Sequence, residues 1–136
     1  MKILLIIDMQ ENMFKAANPE EVKNVTKEIL DIIRKNKYDF FAVILGQKNN
    51  TTNPIKRWLS CFPKEAVMIK DIELAVKTTN HKIFYKNINS VKSSKQFMAM
   101  LNNLKKSNGL SEIGIVGGYA GDCVYASAND LNFLFS

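Results

Sequence analysis

The chain has 136 residues, 46% of them hydrophobic and 24% charged, the size and balance of a single globular domain rather than of a disordered chain. Its formal charge of +6 comes almost wholly from lysines scattered along the length. Arg34 and Arg57 are the only arginines, and such dispersal argues against a nucleic-acid surface.

The first element is "KILLII", a continuous apolar run that suits a strand covered on both faces. The run stops at Asp8, too short for the core of a signal peptide and without a small-residue cleavage site. No stretch approaches the ~20 apolar residues of a membrane span, so the protein reads as cytoplasmic. In "ANPEEVKNVTKEILDIIRKNKYD", Asn18 can cap a helix, Pro19 takes its first position, and Glu21 completes a capping-box variant. Val22, Val25, Ile29 and Ile32 recur at helical spacing and give that helix one apolar face. "DFFAVIL" (39–45) is a second buried strand, and "GQKNNTTNP" a polar loop. "IKRWLSCF" is read as a short helix and "AVMI" as a short extended piece, leading to a third main strand, "HKIFY" (81–85). "SSKQFMAMLNNLKK" is a helix with Phe97, Met100, Leu101 and Leu104 on one side. "EIGIVGG" is the fourth strand and "DCVYASANDLNFLF" the last helix.

Strands alternating with helices over residues 1–136 predict one α/β domain built on a parallel sheet. In such sheets ligands bind outside the carboxyl ends of the strands. Three chemically active residues stand there: Asp8 after the first strand, Lys86 after the third and Cys123 after the fourth. Taken singly they are a turn aspartate, a surface lysine and a core thiol. Together they form a coherent set. A helix N-terminus and a nearby ammonium favour the thiolate, which is the nucleophile. A carboxylate in reach can take the thiol proton and return it to a leaving amine, with the lysine keeping that carboxylate ionised and aimed. Free backbone N–H groups around Gly118 to Cys123 can hold an oxyanion. With two cysteines and a single histidine, His81, neither a disulfide framework nor a metal cluster of the usual spacing is expected.

Three stretches occur in order: "LLIIDMQENMF", "KNINSVKSSKQFMAML" and "IVGGYAGDCVYASANDL". Together they resemble the isochorismatase-like cysteine hydrolases, which include nicotinamidases and N-carbamoylsarcosine amidase. The resemblance covers essentially the whole chain. It implies a three-layer α/β/α, Rossmann-like fold with a mostly parallel sheet, and hydrolysis of a small-molecule amide through a thioacyl-enzyme. Asp8 would be the general base, Lys86 its partner and Cys123 the nucleophile. A cis peptide is implied at Gly118–Tyr119, with the N–H groups of Tyr119 and Cys123 as the oxyanion hole, and Gln10, Gln47 and Trp58 near the pocket. No cofactor is implied, and a homo-oligomer is expected. Metal-binding nicotinamidases carry an aspartate and two histidines in the loop after the second strand. Here "GQKNNTTNP" has no histidine, so no metal is expected. Family members usually continue through further strands and a helix, so the fold is expected to lack those last elements and to expose an apolar sheet edge. Two readings from other classes stand beside the hydrolase. One is a catalytically silent scaffold of the same fold. The other is a nucleotide-binding module using "GGYAG", a pattern that fits neither common phosphate loop.

Overall fold

A computed structural model describes residues 1–11, 18–35, 37–48, 62–88, 90–118 and 124–135. Four strands, β1 (Lys2–Ile7), β2 (Phe40–Gly46), β3 (His81–Lys86) and β4 (Glu112–Gly117), form one sheet in the order β3-β2-β1-β4. Every pairing in it is parallel. The helices among the described residues are α1 (Pro19–Arg34), α2 (Lys70–Lys77), α3 (Lys95–Lys106) and α4 (Tyr125–Phe135).

The uninterrupted apolar runs find their reason in the two layers that cover the sheet. Ile3, Leu5 and Ile7 of β1 and Ile44 of β2 pack with Phe97 and Leu101 of α3 and Leu131 of α4. Leu4 and Ile6, with Val43 and Leu45, pack on the other face with Ile29 and Ile33 of α1 and Ile72 and Val76 of α2. A strand buried on both faces has no polar side to alternate with, so its sequence is apolar throughout. The three-layer α/β/α arrangement therefore stands.

Several local expectations are corrected. Residues 70–77, to which the sequence reading assigns no element, form α2. This helix has Ile69 at its N-cap position with no side-chain hydrogen bond there, so the usual start signal is missing. The Asn18 side chain accepts from the Glu20 N–H at 3.0 Å, one position earlier than a capping box would use. The buried stripe of α1 centres on Thr26, Ile29 and Ile33, rotated from the Val22, Val25 and Ile32 side. The "AVMI" piece is extended where Met68 bridges antiparallel to Gln10, beyond the end of β1. Lys86 is the last residue of β3 rather than the first one past it. The helix expected over "IKRWLSCF" lies outside the described residues, apart from Phe62.

The chain order places a topological switch between β1 and β4. From β1 the chain runs to β2 and β3 on one side, and β4 then pairs with β1 on the other. Ligand crevices open at the carboxyl ends of strands at such a point. Gly117 lets the two strands close there. A Cβ at that position would collide with the Ile7 carbonyl oxygen. β4 is also an edge of the four-stranded sheet, and Ile113 and Ile115 are only half-buried.

Candidate active site

Asp8 directly follows β1, and its backbone adopts φ 59°, the left-handed region that non-glycine residues seldom occupy. Its N–H donates to the Ile44 carbonyl at 3.0 Å, and its own carbonyl accepts from the Gln10 N–H at 2.9 Å. The strand thus ends in a sharp, hydrogen-bonded bend that turns the aspartate side chain into the protein. Asp8 is fully buried. A strained backbone and a buried carboxylate each cost stability, and their coincidence is characteristic of a functional site.

Lys86 arrives from two strands away. β3 and β1 are separated by β2, hence by about 9–10 Å, a span that needs a long side chain. Its ammonium lies 3.3 Å from Asp8 Oδ1, with both side chains fully buried. The ammonium also donates to the Ile88 carbonyl at 3.1 Å and lies 4.3 Å from the centre of the Phe62 ring. The contact with Asp8 is an ion pair rather than an aligned hydrogen bond. Among the described residues neither Asp8 carboxylate oxygen has a hydrogen-bond partner. A buried acceptor left open in this way retains the capacity to receive a proton.

The middle of the sheet is shaped to let this pair meet. Gly46 ends β2 opposite Lys86, and a Cβ there would strike the Phe62 ring. Gln10 fixes the Gly46 backbone in both directions. Its Nε2 donates to the Gly46 carbonyl at 2.8 Å, and its Oε1 accepts from the Gly46 N–H at 2.7 Å. Gln10 is fully buried, so its amide is engaged by the scaffold under the pair. The Gln47 N–H donates to the Lys86 carbonyl at 2.9 Å, and its Oε1 accepts from the Ala66 N–H at 3.0 Å. This residue ties the end of β2 to the returning chain. Trp58 lies outside the described residues.

Ser90, four positions after Lys86, caps the short 3-10 turn Val91–Ser93, its Oγ accepting from the Lys92 N–H at 3.2 Å. The Val91 N–H donates in turn to Ser127 Oγ at 3.0 Å. Ser127 is fully buried and stands on α4, four positions after Cys123. The turn that follows Lys86 is thereby fastened to the helix that follows the cysteine. Sequence reading passed over Ser127, whose partner Val91 lies 36 positions away in the chain. It also passed over Gly46 and Phe62, for which no local signal exists.

On the β4 side, the Gly118 N–H donates to the Ile7 carbonyl at 3.3 Å and so belongs to the sheet. Tyr119 and Cys123 lie outside the described residues, and with them the expected cis peptide and oxyanion donors. No group of three or more histidine, cysteine, aspartate or glutamate side chains is placed to hold a metal ion among the described residues. Among these residues no helix is long and apolar enough to cross a membrane.

Comparison with known proteins then places the fold. No family profile matches the sequence, and no curated protein resembles it in sequence. Solved structures do match. N-carbamoylsarcosine amidase from Thermoplasma acidophilum superposes with a TM-score of 0.68 at 18% identity, covering 98% of this chain and 76% of that one. Yeast nicotinamidase gives 0.71 at 17% identity, covering 98% and 82%. An isochorismatase-like hydrolase from Alkaliphilus metalliredigens gives 0.70 at 16% identity, covering 98% and 75%. The chain has the isochorismatase-like hydrolase fold.

Proposed function

We propose that the protein is a cysteine-dependent hydrolase of a small-molecule amide, with Asp8, Lys86 and Cys123 as its catalytic residues. The observation that carries this reading is the buried Asp8–Lys86 pair at the carboxyl end of a parallel sheet, its carboxylate oxygens open to a further partner. The fold it shares with an amidase and a nicotinamidase supports the same chemistry. Asp8 takes the Cys123 proton, and the thiolate attacks the amide carbon. The C–N bond breaks, Asp8 returns the proton to the departing amine, and a thioester remains on Cys123. Water then attacks the thioester with Asp8 as base, releasing the acid and restoring the thiol. Lys86 holds Asp8 through both stages by charge attraction between two buried side chains. Metal independence is part of the proposal and rests on the residues after β2, where no histidine occurs.

The test is acid-quench mass spectrometry during incubation with nicotinamide, N-carbamoylsarcosine and other small primary amides. The expected result is ammonia release with a substrate-derived acyl mass on the Cys123 peptide. No ammonia and no adduct across the panel would favour the silent scaffold instead.

A further inference from the structure

We propose that Phe62 is a positioning residue whose ring holds the Lys86 ammonium against Asp8. Its catalytic meaning rests on the hydrolase reading above, whereas the clamp itself is a physical claim about described residues. Phe62 is 2% exposed and Lys86 likewise 2%, so the cation and the ring face meet away from water. At 4.3 Å from the ring centre the ammonium is well inside the ~6 Å reach of a cation–π contact, which strengthens when desolvated. The ring's place is fixed from below. It rests on the bare backbone of Gly46, where any Cβ would collide with it, and Gln10 holds that backbone by two hydrogen bonds. The ammonium is therefore bounded by a carboxylate, the Ile88 carbonyl and the face of an aromatic ring.

The competing role for Phe62 is a plain filler of the cluster it shares with Ile44 and Phe84. An aliphatic side chain would serve that role as well, because only the clamp needs a negative ring face. Fluorination withdraws that negative charge while nearly preserving the shape of the ring. Mono-, di- and pentafluorophenylalanine introduced at position 62 therefore separate the two roles. The readout is the acetylation rate of Lys86 by an activated ester in the folded protein, measured by peptide mass spectrometry against exposed Lys95.

The Lys86 rate relative to Lys95 should climb stepwise through the series and reach about tenfold for the pentafluoro ring. Phe62→Leu should release Lys86 at least as much. A flat fluorine series would overturn the clamp and leave Phe62 a filler. The same proteins are assayed for amide hydrolysis. A graded series in a protein that hydrolyses nothing upholds the clamp and removes the hydrolase reading, while a flat series in an active enzyme does the reverse.

Discussion

Lys86→Met should lower the stability of the fold by about 3–5 kcal/mol, the cost of leaving one charge of a buried pair without its partner. Both side chains are fully buried at 3.3 Å, so solvent does not screen the loss as it would at the surface. Removing the ammonium strands a carboxylate that no described hydrogen bond satisfies. The double variant Asp8→Asn/Lys86→Met should recover most of this loss, because no net charge is then buried. Asparagine also tolerates the left-handed backbone at position 8. Urea unfolding at constant m-value checks both variants. A single-variant loss below about 1 kcal/mol, the range of an exposed ion pair, would show that the pair does not form.

Cys123→Ala should produce the largest functional effect, a fall in amide turnover of at least about 10⁴-fold, as expected when the nucleophile of a catalytic unit is removed. Stability should change far less than in Lys86→Met, since the substitution removes a single sulfur atom and leaves the Asp8–Lys86 pair intact. Steady-state ammonia release, measured beside the unfolding midpoint, separates the two quantities. A fall smaller than about tenfold would mean that another group attacks the amide.

Most of the architecture was legible in the sequence because doubly covered strands must be apolar along their whole length. That demand produces runs such as "KILLII" and "DFFAVIL", which no amphipathic helix imitates. Asp8 was legible for the same reason, as an abrupt charge at the end of an apolar run. The helix α2 was not. It is 8 residues long, starts without a capping side chain and offers only Ile72 and Val76 as a periodic signal. The residues that shape the site were hidden for a different reason. Phe62 matters through Lys86 and Gly46, and Ser127 matters through Val91, 36 positions away. Such roles depend on where the sheet brings distant segments together, and no local pattern encodes them. The spacing of four between Lys86 and Ser90 is visible in the sequence. Its physical content, a capped turn that anchors Lys86 through the Ile88 carbonyl and α4 through Ser127, emerges only from the fold.

In the proposed mechanism Cys123 is an activated nucleophile served by the Asp8–Lys86 pair. The most direct test of that role is the rate of iodoacetamide alkylation at Cys123 across pH, with Cys61 of the same molecule as the control. Cys123 should react much faster than Cys61 and keep reacting well below the ~8.5 at which a free thiol ionises. Lys86→Met should remove that advantage. Equal alkylation of the two cysteines in the folded protein would contradict the mechanism.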